Sequence, residues 1–260
     1  MTKINENIFR LTIPYKDIYT TVYLIKTPEG SVLFDAASTD EDTENYIIPF
    51  LKEIGVYENV KYVFVSHKHG DHVGGLKRLV SEIPDICIIS RSPVLKEEYK
   101  EYKFIFPNDN HGVSDVLRVI TIPGHTEDSC GLFDTRTNTL ITGDSLQFYG
   151  IYGSGDWACN IRLPIEHMEA LDKLKGINID TVYMAHEYHP CGYVLCGNDN
   201  INSTLDLCIE PLRFIRDIIL ENPHKTDEEI RSIFNSEDLP TVNLSVVTAL
   251  RKVIDEGRFI

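Results

Sequence analysis

The residues of this 260-residue chain most able to do chemistry gather in one short run, Ser66-His67-Lys68-His69-Gly70-Asp71-His72-Val73-Gly74-Gly75. Four potential ligands, His67, His69, Asp71 and His72, fall within six positions. Neutral imidazole and carboxylate are the nitrogen and oxygen donors that zinc accepts. A polar surface loop merely rich in histidine is the competing explanation, and the density of donors argues against it. Three further donors follow apolar segments: His125 in Ile122-Pro123-Gly124-His125-Thr126, Asp144 in Ile141-Thr142-Gly143-Asp144-Ser145, and His186 in Tyr183-Met184-Ala185-His186-Glu187-Tyr188-His189-Pro190. Each alone reads as a turn residue making local hydrogen bonds; together with the first run they complete a metal-binding set. His189 competes with His186 for the last place. His186 stands nearer the end of its strand and is therefore the better held, which leaves His189 beside the site or facing substrate.

These donors need rigid elements behind them. Alternating or continuous apolar stretches predict strands over 8–13, 21–25, 31–34, 61–65, 86–89, 117–122, 130–134, 139–142 and 181–184. Helical spacing predicts helices over 44–54, 72–80, 93–102 and 165–174. Every donor thus lies just beyond a strand, where a loop lets side chains converge without breaking a regular element. Beyond about Asn200 the pattern is wholly helical, over 205–220, 227–234 and 242–256. Leu212, Ile215 and Ile219 form one apolar stripe, and Thr226 before Asp227-Glu228-Glu229 marks a helix start. The expected organisation is a domain over 1–199 and a helical appendage over 200–260, its stripe packing over the domain near the pocket and supporting a homodimer.

Composition narrows the function. A formal charge of −15 repels polyanions, and no basic cluster tracks a phosphate backbone, so nucleic acid is a disfavoured partner. No apolar run approaches the ~18–20 residues that span a bilayer, and Met1-Thr-Lys-Ile-Asn-Glu lacks the layout of a signal peptide; a cytoplasmic location is expected. The six cysteines, Cys87, Cys130, Cys159, Cys191, Cys196 and Cys208, are scattered and read as reduced thiols.

The run H-x-H-x-D-H at His67 to His72, followed in order by His125, Asp144 and His186, resembles the metallo-β-lactamase superfamily, over residues 1 to about 195. The resemblance implies an α+β fold, a four-layer αββα sandwich with the metal site at one edge. It implies two zinc ions per chain: His67, His69 and His125 on one, Asp71, His72 and His186 on the other, Asp144 bridging. Asp35 in Phe34-Asp35-Ala36-Ala37 matches the family's Asp-Thr-Gly, whose carboxylate orients a metal-binding histidine; here Ala36-Ala37 replace Thr-Gly. His69 stands where the diiron oxygen-reductase branch has glutamate, which favours zinc. The bridging Asp144 is similar to the glyoxalase II, lactonase and phosphodiesterase branches rather than to true β-lactamases. A zinc-dependent hydrolase of a small ester-like substrate, thioester or lactone, is therefore expected, with Asp71 both ligand and catalytic residue orienting the water. A phosphodiesterase or ribonuclease of the same fold, or a diiron redox enzyme, is the alternative. The loop that leaves Asp144, with Tyr149 and Trp157 among its glycines, is the expected wall for a small substrate.

Overall fold

Two long strands open the fold. In β2 (Ile8–Tyr15) Ile8, Phe9, Leu11 and Ile13 are buried, with Arg10 and Thr12 half-exposed among them, while β3 (Ile18–Thr27) is buried along most of its length between two neighbours. The turn joining them uses Lys16 at φ 52. The computed structural model describes residues 1–153, 158–236 and 241–258. It divides into two compact units: Met1–Thr121 with Cys130–Arg136, and Ile122–Ser129 with Thr137–Ile260. Residues beyond 200 thus belong to the same compact unit as the strands that follow Thr137.

The first unit holds a seven-stranded sheet in sequence order: β1 (Thr2–Lys3), β2, β3, β4 (Gly30–Phe34), β5 (Val60–Val65), β6 (Cys87–Ser90) and β7 (Phe104–Ile105). Strands β1 to β4 pair antiparallel and β4 to β7 parallel. Each parallel step needs a crossover. It is supplied by α1 (Asp40–Asp42), a π turn (Thr43–Ile47) and α2 (Ile48–Glu53); then by α3 (Gly70–Val73) and α4 (Leu76–Glu82); then by α5 (Pro93–Glu98). Strands β8 (Leu117–Thr121) and β9 (Cys130–Asp134) form an antiparallel pair. The core joins Leu24, Leu33, Val63 and Val65 of the sheet to Phe50, Leu51, Leu76, Leu79 and Val80 of the crossovers.

The helix predicted over 72–80 is instead two helices, α3 and α4, broken at Gly74-Gly75. The break has a steric cause. A Cβ on Gly74 would lie 1.7 Å from the Ser38 carbonyl oxygen, and one on Gly75 2.2 Å from Thr43 Oγ1 and 2.4 Å from the Ala36 carbonyl oxygen. Only glycine lets the chain after β4 pass this close to the chain after β5.

In the second unit β10 (Thr139–Ile141) runs parallel to β11 (Thr181–Tyr188) through the crossover helix α6 (Pro164–Lys175), and β12 (Gly192–Cys196) returns antiparallel to β11. Strand β11 is longer than the predicted 181–184, so His186 lies inside it, beyond a shift of register after Tyr183. The helices α7 (Asn198–Leu205), α8 (Glu210–Glu221), α9 (Asp227–Phe234) and α10 (Leu244–Asp255) follow. The helix predicted over 205–220 starts later, because a 3-10 turn at Asp206–Cys208 intervenes and Pro211 sits in the first turn of α8, where its missing N–H costs nothing. Helix α9 keeps the predicted 227–234 and carries the full Thr226–Glu229 capping box. Leu212, Ile215 and Ile219 of α8 pack with Ile230, Phe234, Val246, Val247 and Leu250, and with Cys159 and Ile161 of the loop after β10. All six cysteines are free. Among the described residues no helix is long and apolar enough to cross a membrane.

Candidate metal centre

The parallel pairing of β4 with β5 sets Phe34 opposite Phe64. The residues that follow each strand therefore emerge side by side, at the carboxyl ends where open α/β sheets place their ligands. Asp35, buried and at φ 66, donates its N–H to the Phe64 carbonyl, 2.8 Å. Its carboxylate accepts three hydrogen bonds: from Ser66 N at 2.7 Å, from Ser66 Oγ at 2.9 Å, and from His72 Nδ1 at 2.7 Å. Because the Ser66 hydroxyl gives its proton to Asp35, its oxygen accepts from His67 Nδ1 at 3.1 Å. One carboxylate thus orients two imidazoles, His72 directly and His67 through Ser66, and leaves Nε2 as the lone-pair nitrogen of each. Burial pushes the Asp35 carboxyl above the usual carboxylate range, and His72 and Ser66 pull it back. Ala37 adopts φ 58, a conformation that costs a non-glycine residue roughly 1–2 kcal/mol. It occupies the glycine position of the resembled motif, so alanine there bears a strain that glycine would not. His67 packs against both His69 and His72, with ring centroids 4.6 and 4.2 Å apart. Asp71 Oδ2 lies 3.4 Å from His72 Nε2.

The second unit repeats the device with different strands. Ile141 of β10 pairs with Tyr183 of β11, so Asp144 and His186, equally far beyond that pair, arrive together. The Ala185 N–H bonds to the Gly143 carbonyl at 3.3 Å. Asp144 directs its two oxygens at different rings: Oδ1 lies 3.3 Å from His186 Nε2 and Oδ2 3.7 Å from His125 Nε2. His125 sits on a turn whose Gly124, at φ 150, offers its carbonyl to the N–H groups of Arg162 and Leu163 at 2.8 and 3.0 Å. Its Nδ1 donates to the Asn160 carbonyl at 2.8 Å. A carbonyl can only accept, so here too Nε2 carries the lone pair.

This arrangement fits a metal. Ring nitrogens with outward lone pairs face carboxylate oxygens in both units, a juxtaposition of acceptors that a divalent cation between them relieves. His67, His69, Asp71 and His72 stand in the first unit; His125, Asp144 and His186 stand in the second.

The residues expected beside the site divide. His189 lies beyond β11 and packs its ring on Tyr152; burial lowers its pKa, opposed by Glu187. Tyr149 gives its hydroxyl to Glu210 at the start of α8, and burial together with that carboxylate pushes the phenol up to about 12. Trp157 lies outside the described residues. Sequence reasoning passed over Ser66, Asn160 and His167. The first two act through pairings between distant segments, which leave no local signal. His167 of α6 is fully buried beneath Gly124, where a Cβ on that glycine would lie 2.4 Å from its Nδ1. Burial, and secondarily the neighbouring His125, lowers its pKa to about 4.

The family model described as "Metallo-beta-lactamase superfamily" matches residues 15–186, from β2 to the last histidine of the site. The chain belongs to the metallo-β-lactamase superfamily. Its curated relatives include a "Hydroxyacylglutathione hydrolase" of Prochlorococcus marinus (strain NATL1A), 28% identical over 140 residues that make up 50% of this chain and 52% of the relative. Another is a "Beta-lactamase-like protein 2 homolog" of Caenorhabditis elegans, 28% identical over 176 residues, 64% of this chain and 55% of that protein. The chain spans about half the length of these relatives. Among solved structures, a metallo-β-lactamase family protein of Thermus thermophilus superposes with a TM-score of 0.73 over 98% of this chain and 95% of that one, at 17% identity. The likeness establishes the metallo-β-lactamase fold, α+β with mixed sheets, helices on the crossovers and helices at the C-terminal end.

Proposed function

We propose that this chain is a dinuclear zinc hydrolase that cleaves a small ester-like bond, a thioester or a lactone. The observation that carries the reading is the Asp144 carboxylate, whose two oxygens lie near His186 on one side and His125 on the other, an arrangement that would suit a ligand shared between two ions. In this reading the family resemblance would assign His67, His69 and His125 to one ion and Asp71, His72 and His186 to the other, with Asp144 shared. When bound, two zinc ions supply a water acidified to a pKa of about 7 and a Lewis acid for the substrate oxygen. The chain's own residues do the rest. Asp35 and the Asn160 carbonyl fix the histidine rings so that Nε2 points outward. Asp71, less buried than the histidine beside it, is assigned the role of orienting the attacking water. No serine or cysteine nucleophile is needed; the buried Cys159 and Cys208 thiols are pushed well up in pKa by burial and are poor nucleophiles. The relatives named hydroxyacylglutathione hydrolase support a thioester, and the charge of −15 weighs against a phosphodiester polymer. Purified protein assayed against thioesters, lactones, a phosphodiester and a β-lactam, with elemental analysis of the same sample, tests the proposal. Two zinc ions and thioester or lactone turnover are expected. Iron with oxygen reduction, or turnover of the phosphodiester alone, would overturn it.

A further inference from the structure

A single buried amide connects the supports of the second unit's donors. Gln147, 3% exposed, lies just after Asp144 on the loop that leaves β10. Its Nε2 donates to the Asp144 carbonyl at 2.7 Å and reaches the Tyr188 hydroxyl, on the strand that carries His186, at 3.4 Å. Its Oε1 accepts from Asn160 N at 2.9 Å, and the Asn160 carbonyl is the acceptor that holds His125 Nδ1. The amide faces an acceptor on one side and a donor on the other, so its orientation is set by its surroundings. No other side chain supports both Asp144 and the segment behind His125 among the described hydrogen bonds.

We infer that Gln147 is a positioning residue: its amide locks the backbone of Asp144 to the carbonyl that selects the Nδ1–H tautomer of His125, and so sets the spacing between a shared carboxylate and one of its histidines. The inference rests on the metal reading above. Its physical basis is that a ligand set binds well only when the ligands are held in place before the ion arrives, and partners behind the ligands are worth about 10- to 100-fold in metal affinity. Merely satisfying loop backbone groups is the competing role, and it makes a different prediction: such a residue would change stability without changing metal affinity or tautomer.

The test uses the full chain with Gln147→Leu, which removes donor and acceptor, and Gln147→Glu, which keeps the acceptor for Asn160 N and loses the donor for Asp144. Three quantities are measured: zinc affinity by chelator competition, the melting temperature of the metal-free protein, and the 15N shifts of the His125 ring in the metal-free protein. Gln147→Leu is expected to weaken the more loosely held zinc by about 10- to 100-fold and to shift His125 from one tautomer to a mixture. Gln147→Glu should weaken zinc while keeping more of the His125 signature than Leu does, and it stands in if the Leu variant fails to fold. Wild-type zinc affinity and an unchanged His125 spectrum, with only the melting temperature lowered, would overturn the inference. Failure of the wild-type chain itself to take up zinc would overturn the metal reading instead, and the His125 tautomer would still decide what Gln147 does.

Discussion

The two units supply donors in opposite ways. In the first, four ligand-type residues follow one strand within six positions, and a carboxylate from the neighbouring strand end orients two of them. In the second, three donors come from a turn, a loop and the interior of a strand, and a backbone carbonyl with a buried amide holds His125 and Asp144. The first arrangement concentrates the support in one charged side chain; the second distributes it over main-chain groups of distant segments. A side-chain anchor is removable by one substitution, whereas a main-chain anchor is reached only through what positions it.

Substitutions can break that contrast. The largest effect is expected for Asp144→Ala, which removes a carboxylate whose two oxygens lie near two different imidazoles: turnover should fall below detection and zinc content below two per chain, by kinetics and elemental analysis. Retention of both ions would show that Asp144 is not shared. Next come the glycines. Gly74→Ala drives a Cβ into the Ser38 carbonyl, which cannot move aside, while Gly124→Ala meets the side chain of His167. Overpacking typically costs about 1–3 kcal/mol and sometimes more, so Gly74→Ala should be the worse of the two by urea unfolding. His167→Ala should restore part of the loss in Gly124→Ala; no side-chain truncation should rescue Gly74→Ala.

Asp35→Asn tests the concentrated anchor, and zinc should bind about 10- to 100-fold more weakly, since His72 and His67 are loosened together. A smaller effect than Gln147→Leu would reverse the contrast. His167 gives a pH signature. Its folded pKa of about 4 lies below the ordinary 6.5, so the unfolded chain takes the proton first as pH falls. Stability from this group is complete above pH ~6.5 and is lost as pH drops towards ~4, by about 3 kcal/mol over the whole window. Urea unfolding of the metal-free protein at pH 7 and 5 should show this loss, and His167→Leu should remove it. A slope unchanged by the substitution would assign the acid sensitivity elsewhere.

What could be read from sequence follows the same division. The His67–His72 run was legible because its donors are neighbours in the chain, and the strands leading to His125 and Asp144 because Leu, Val and Ile recur in them. Helix α9 was legible to its ends because a capping box is a local signal. The split between α3 and α4 was not, since the reason for it is the passage of another segment beside Gly74. His186 was expected past its strand and lies within it, because β12 pairs with β11 and extends it beyond the apolar core. Gln147 sits between Leu146 and Phe148 in what reads as a substrate loop, and only the return of Asn160 to its side reveals its use. The two-residue strands β1 and β7 owe their form to pairing rather than to propensity.

The Asn160 carbonyl also has a place in time. The short stretch that carries it is pinned from far along the chain: Cys159 N donates to the Thr241 carbonyl and Asn243 N to the Cys159 carbonyl, each at 3.0 Å, and Ser245 Oγ donates to Asn160 Oδ1 at 3.0 Å. These contacts join segments more than eighty residues apart, so their loop closure comes late. Synthesis proceeds from the amino terminus; the histidine run of the first unit is complete long before residue 245 emerges. During that interval the segment that supports His125 still lacks the contacts that pin it, so its carbonyl reaches its final place only after the end of the chain has been made.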